Sequence, residues 1–133
     1  MRNVVVVPKG VWSTKGELKL HLSTISMAHS VYADCLHGMD TNEVADIEVD
    51  TLDNILRELG VKKVDFIKMD IEGAEVEALK GMEATLRNND VKLAGEHHTV
   101  NGERTYKAVA QQLKQMGFEV DREGHIVYAR KRA

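Results

Sequence analysis

The 133-residue sequence predicts an α/β fold: a mostly parallel sheet with a C-terminal antiparallel hairpin. Three observations carry that expectation. Apolar runs of strand length alternate with segments whose apolar residues recur at helical spacing. The run Val64–Asp70 turns directly into an amphipathic stretch reaching Arg87, the pattern of a strand feeding a crossover helix. Near the end, Phe118–Val120 and Ile126–Ala129 flank Arg122-Glu123-Gly124, as the two arms of a hairpin would.

In chain order, Val4–Val7 is aliphatic, is closed by Pro8 and Gly10, and reads as a short buried strand. Glu17–Leu22 alternates polar and apolar, the sign of a half-exposed strand. Ser23–Thr41 has no clear period and reads as a long loop; loops of that length in compact domains are usually functional or mobile. Ile47–Val49 reads as another short strand. Leu52, Ile55, Leu56 and Leu59 fall on one helical face, with Thr51 as N-cap and Gly60 just past the end. Val64, Phe66, Ile67, Met69 and Ile71 make a mostly apolar run, expected of a parallel strand covered on both faces. Gly73 and Ala74 let a helix start close to the sheet, and Val76, Leu79, Met82 and Leu86 give it one apolar face over Gly73–Arg87. Val91–Gly95 is the next strand, also followed by helix. Tyr106, Val109, Ala110 and Leu113 repeat the helical spacing, and Gly117 closes that helix.

Composition bounds the function. Residues 1–133 suffice for one domain and one core. Apolar content of 43% and charged content of 29% are those of a soluble globular protein. A net charge of −3 gives no field for nucleic acid or anionic membrane, and the one basic cluster, Arg130-Lys131-Arg132, reads as a solvated tail. A single cysteine, Cys35, excludes an internal disulfide and suits a reducing cytoplasm. No apolar run has the length of a membrane span or a signal peptide.

In open α/β sheets ligands bind beyond the carboxyl ends of the strands. Asp70 and Glu72 sit where Val64–Asp70 runs out, and Glu96-His97-His98 ends the next strand. If the two strands are parallel neighbours, Asp70, Glu72, Glu96 and His98 share one sheet edge, with the Asp70 and Glu96 carboxylates closer than about 12 Å, a few strand spacings. Either His98 or His97 could take a proton near neutrality, and the two should face opposite ways in extended backbone. A plain surface loop after a strand accounts equally for both. Carboxylates with one imidazole can also hold a divalent metal, but nothing in the spacing demands one and no metal is assigned. His29 is a weaker candidate, while His21 and His37 have no argument beyond surface placement.

The string Asp65-Phe66-Ile67-Lys68-Met69-Asp70-Ile71-Glu72-Gly73-Ala74-Glu75, followed by Leu79-Lys80-Gly81, resembles the signature block of the FkbM-type family of S-adenosylmethionine-dependent methyltransferases. Thr51-Leu52-Asp53 and Glu96-His97-His98 extend the likeness, which covers about Asn3 to Tyr128. The resemblance implies a three-layer Rossmann-like methyltransferase sheet, S-adenosylmethionine as cofactor, and O-methylation of a small-molecule or sugar hydroxyl. It places Gly10, Trp12 and Met69 as cofactor-binding residues, Trp12 near the adenine, and Met69 and Asp70 near the transferring methyl. For Trp12, packing in the core or against a hairpin is the favoured role from the residue alone, ahead of stacking on a base. Asp70, Glu72, Glu96 and His98 become the catalytic candidates.

Methyl transfer to a hydroxyl needs a held cofactor, an acceptor in line with the methyl, and a group that takes the hydroxyl proton. Holding a nucleoside in such a fold normally uses a Gly-rich turn after the first strand. The ten glycines here are never closer than six positions, so there is no G-x-G and no P-loop. Against the family, Asn3–Trp12 resembles the third strand and its loop. The chain is therefore expected to be a truncated single domain, the C-terminal two-thirds, lacking the first two strands and binding S-adenosylmethionine weakly or not at all. Val4–Val7 and Val64–Asp70 would each lose a neighbour, so either they pair or a second chain does, giving a homodimer through exposed strand edges. The rival readings are a non-catalytic binding or assembly module and a small metal-dependent hydrolase using Asp70, Glu72 and Glu96.

Overall fold

The structure of the protein, a computed structural model, describes residues 3–23, 40–100 and 103–132. Most of the loop expected over Ser23–Thr41, with His29, Cys35 and His37, lies outside the described residues; Ser23, Asp40 and Thr41 belong to strands.

β1 (Gly10–Val11), β2 (Gly16–Ser23) and β3 (Asp40–Asp50) form a three-stranded sheet in the order β1-β3-β2. The alternation read in Glu17–Leu22 is the pleat of β2, which pairs antiparallel with β3 from Gly16↔Val49 to Ser23↔Asp40. The strand expected only over Ile47–Val49 is thus eleven residues long. Val4–Val7 requires a correction. It is not a strand, and Val4, Val5 and Val6 are exposed. An aliphatic run is buried as a strand only where neighbours accept its backbone, and no described strand pairs with it. Parallel pairing with β3 begins at Gly10 instead.

α1 (Leu52–Leu59) forms as the sequence indicates. The Thr51 side chain accepts from Asn54 N at 3.0 Å, and Gly60 closes the helix at φ 73°. β4 (Phe66–Met69) then leads into α2 (Glu75–Lys80) and α3 (Glu83–Asn88), followed by β5 (Lys92–Glu96). The single helix expected over Gly73–Arg87 is therefore broken. At Gly81 a Cβ would lie 2.1 Å from the Trp12 carbonyl oxygen, so another segment crosses where a continuous helix would need side-chain room. α3 starts afresh beyond it, with Met82 at φ −127°. After β5 comes a small hairpin, β6 (Thr99–Val100) and β7 (Glu103–Arg104), rather than the helix expected directly. α4 (Tyr106–Gln115), β8 (Phe118–Glu123) and β9 (Ile126–Lys131) complete the described chain, with the terminal hairpin as expected.

The second sheet runs β4-β5-β9-β8. β4 and β5 are parallel neighbours joined by the α2–α3 crossover, whereas β9 meets both β5 and β8 antiparallel. Among the described residues, parallel pairing is confined to β1–β3 and β4–β5, so the sheets are mixed rather than mostly parallel. Ala78, Leu79, Leu86, Val109 and Leu113 from the helices bury against Met69, Leu93, Phe118, Val127 and Ala129 from this sheet. Gln112 Nε2 donates to the Val76 carbonyl at 3.0 Å, tying α4 to α2.

The expectation that β4 is covered on both faces also fails. Phe66 is 59% exposed and Lys68 is exposed, while Met69 is buried. Phe66, Lys92 and Arg130 share one face by register, with Lys68, Ala94 and Tyr128 beside them, and Tyr128 too is exposed. Among the described residues the helices cover one face of this sheet, so the third layer is not found there, and β4 is an edge strand. Lys68, midway along the run, carries the period-two signal of a half-covered strand.

Candidate functional site

The parallel β4–β5 ladder ends at Met69↔Gly95, so the residues that follow leave the sheet side by side. Asp70 follows β4, Glu72 lies in the turn to α2, Glu96 ends β5, and His98 follows two residues later. Glu72 has φ 50° and Gly73 φ 97°. A left-handed Glu costs on the order of 1 kcal/mol, and the turn aims α2 back across the strand ends.

The imidazole of His98 is the centre of the site. Its Nε2 lies 3.7 Å from Asp70 Oδ1, 3.5 Å from Glu72 Oε2 and 3.7 Å from Glu96 Oε2. Its Nδ1 contacts Glu75 Oε1 on the opposite side. The four residues expected to converge do so, and ligand atoms of Asp70, Glu96 and His98 all lie within 4.8 Å of one another. The backbone of His98 is fixed as well: its N–H donates to Thr105 Oγ1 at 2.8 Å, and its carbonyl accepts from Thr105 N at 2.7 Å. His98 is 9% exposed, whereas the Asp70 and Glu96 side chains are each 44% exposed, so the rim is wet outside and dry beneath.

Burial alone would lower the pKa of His98. The Glu75 hydrogen bond and the charges of Glu75, Glu72 and Asp70 outweigh it and hold the imidazole above its usual range. Glu72 is also raised, first by burial; His98 opposes this, and the neighbouring charges of Asp70, Glu96 and Glu75 add to it.

His97 and His98 do face opposite ways. His97 is buried toward the β8–β9 turn, with Nε2 3.0 Å from the Gly124 carbonyl and Nδ1 3.1 Å from an Arg104 guanidinium nitrogen. Its ring lies against Tyr106 and His125. Burial keeps its pKa below the usual value, which suits a neutral, structural imidazole.

Glu75, which the sequence places in the signature string without a role, is wholly buried. Its Oε1 takes the Gly73 N–H at 3.3 Å besides His98, while Oε2 has no hydrogen-bond partner. The only sequence signal was an acid on the helix side that the apolar residues bury. A second such residue is Asp50, also fully buried. Its Oδ1 accepts from Thr51 N at 2.8 Å and Asn54 Nδ2 at 2.9 Å, and its carbonyl accepts from Trp12 N at 2.9 Å.

The proposed cofactor residues are spread out. Gly10 pairs with Val49, and the partly buried Trp12 passes its carbonyl against Gly81 at the C-terminal end of α2. Glu75, at the other end of α2, touches His98. Six residues of helix separate the two places, about 9 Å at the usual rise. The Met69 side chain is buried in the core, and its carbonyl oxygen lies 3.2 Å from where a Cβ on Gly95 would be.

A family model described as the methyltransferase FkbM domain matches residues 4–120. No curated protein and no solved structure matches the chain. Among the described residues, no helix is long and apolar enough to cross a membrane.

Proposed function

This chain belongs to the FkbM methyltransferase family, and from that premise we propose that its acid–imidazole rim is the acceptor end of an S-adenosylmethionine-dependent O-methyltransferase site. The observation that supports this most is the Glu75–His98 pair. A buried carboxylate holds one imidazole nitrogen, while the other faces the solvent-accessible rim of Asp70, Glu72 and Glu96. That is the base-and-orienter arrangement that accepts a proton from a poor nucleophile. The acceptor is a hydroxyl of a small molecule or sugar. Trp12 and Gly10 receive the adenosine, with the sulfonium end over the Met69 backbone and Asp70, so that the cofactor runs along α2.

Without closely spaced glycines the chain lacks the backbone contacts such a cofactor normally takes, each worth roughly 1.5–3 kcal/mol where charge is involved. Its dissociation constant is therefore expected near 1 mM rather than 1 μM, a difference of about 4 kcal/mol. Calorimetric titration at high protein concentration reads this directly. Labelled-methyl transfer to hydroxyl acceptors at saturating cofactor, lost in His98→Gln, tests the activity; absence of transfer would refute it. The missing glycine spacing also favours a second reading, a binding or assembly module, which cofactor or acceptor binding without turnover would select.

The open β4 edge and exposed Phe66 support a homodimer through this strand, and light scattering that finds a monomer at every concentration would refute it. A single cysteine, which suits a reducing compartment, supports a cytoplasmic setting.

A further inference from the structure

We propose that Asp70, Glu96 and His98 bind one divalent first-row transition ion, with Glu75 holding the His98 ring from behind and Glu72 at the edge of the site. The donor set is one imidazole nitrogen and two carboxylates, with a third carboxylate 3.5 Å from the same nitrogen. Imidazole with carboxylate oxygens suits Mn²⁺ or Zn²⁺ better than an all-oxygen ion such as Mg²⁺.

The spacing fits. For metal–ligand bonds of about 2.1 Å, ligand atoms lie roughly 3.0 Å apart at octahedral and 3.4 Å apart at tetrahedral angles. The observed separations of 3.7 Å from His98 Nε2 to Asp70 Oδ1 and to Glu96 Oε2 are slightly wider. Both carboxylates are on half-exposed side chains, so small rotations close them on an ion while the strand ends stay in place.

A second, independent observation lies behind the ring. Glu75 is 0% exposed, contacts His98 Nδ1 through Oε1, and leaves Oε2 without a hydrogen-bond partner. A carboxylate on the far nitrogen of a ligating histidine is the standard outer support of a metal site: it fixes the tautomer that leaves Nε2 a lone pair and raises its basicity. A buried carboxylate with an unsatisfied oxygen is costly when its only ionic partner is an imidazole. Among the described residues His98 is the ion-pair partner of Asp70, Glu75 and Glu96 alike, so several acids compete for one ring. A divalent cation at Nε2 would meet that excess of negative charge. Three protein ligands leave positions open toward solvent for water. That one of them receives the acceptor hydroxyl, whose proton would then pass to Glu72 because the ion occupies His98 Nε2, rests on the methyltransferase reading; binding of the ion does not.

The test uses the full chain, stripped with a chelator that is then removed, and titrated with Mn²⁺ while the resonance of the free aquo ion is recorded. One ion per chain is expected. Asp70→Asn combined with Glu96→Gln should weaken binding at least tenfold, and both side chains are exposed enough for the fold to survive, as circular dichroism would check. Glu75→Gln should weaken it by roughly 10–100-fold, the usual effect of losing such a support. Glu119→Gln, on the exposed face of β8, should change nothing, and Zn²⁺ should displace the bound Mn²⁺. Wild-type binding no tighter than that of the double variant, or unaffected by Glu75→Gln, overturns the proposal. Methyl transfer by a chain that binds no Mn²⁺ would overturn it while leaving the methyltransferase reading intact. One bound ion without methyl transfer would support the site and sink the other reading.

Discussion

Replacing Asp53 with Ala should cost about 2–3 kcal/mol, because this residue caps a helix other than its own. α3 begins after Met82, which offers no side-chain cap. The missing acceptor comes from α1: Asp53 Oδ2 takes Ala84 N–H at 3.1 Å, and Oδ1 takes Thr85 N–H at 2.9 Å and the Thr85 hydroxyl at 2.6 Å. The Ala84 bond is exposed, and water replaces it at little cost. Thr85 is buried, so its two donors lose a charged acceptor, worth roughly 1.5–3 kcal/mol each in isolation and less together. Helix caps removed elsewhere cost about 0.5–2 kcal/mol, and the upper value of that range sets the lower end here because the cap is charged and Thr85 is buried. Leu86, one residue further on, is fully buried in the core, so fraying of α3 reaches the sheet. Urea unfolding followed through Trp12 should show a midpoint lower by roughly 1–2 M with the slope unchanged. Asp53→Asn keeps one acceptor oxygen and should fall between the two. A loss below about 0.5 kcal/mol for Ala, or equal losses for Asn and Ala, would refute the capping account.

Two further outcomes are expected. Gly81→Ala should destabilise by about 1–3 kcal/mol despite the better helix propensity of Ala, because its Cβ would sit 2.1 Å from the Trp12 carbonyl oxygen and one backbone segment must move; an unchanged or higher urea midpoint, with unchanged Trp12 emission, would refute this. Asp50 is held below the ordinary carboxylate value of 3.8, chiefly by its hydrogen bond from Asn54, which outweighs burial, with help from Thr51 N–H and Lys9. Its folded pKa is the lower one, so its stabilisation is complete above about 3.8 and is lost as pH falls below that value. Wild type should therefore lose more stability between pH 5 and pH 2, as illustrative endpoints on the order of the carboxylate range, than Asp50→Asn does, and equal losses would refute it.

Local chemistry wrote the helices plainly. Thr51 and Gly60 bound α1 in the sequence as they do in space, because a cap and a left-handed stop act within one turn. The convergence of Asp70, Glu72, Glu96 and His98 was legible for a topological reason: consecutive strands with a helical crossover end on one side. What stayed hidden depended on partners far away. Val4–Val7 has the composition of a core strand, but burial needs neighbours that composition cannot supply. The break at Gly81 is set by Trp12, sixty-nine positions earlier, and no helical period reveals it. Glu75 received no role from the sequence, because charge is the usual mark of the solvent side, yet it shares the buried face of α2 with Ala78 and Leu79.

α2 links the two parts of the proposed site while their supports remain separate. At its first residue, Glu75 fixes His98, whose backbone is locked by Thr105 and which follows β5, a strand held between β4 and β9. At its far end the Glu77 carboxylate is held low, first by Lys80 and also by a hydrogen bond from Ser13, and Gly81 receives the Trp12 carbonyl. The Gly10–Trp12 segment is then tied to Asp50 by the Trp12 amide. The rim contacts come from residues 70–75, 96–98 and 105, so the route along the chain from Gly81 to the Glu75–His98 pair runs the length of the six-residue helix. α2 is also pinned between its ends, where Gln112 holds the Val76 carbonyl and Ala78 and Leu79 are buried in the core. Displacement at Gly81 should therefore move the proposed adenosine end first, and the imidazole should keep its place for as long as Glu75 stays buried.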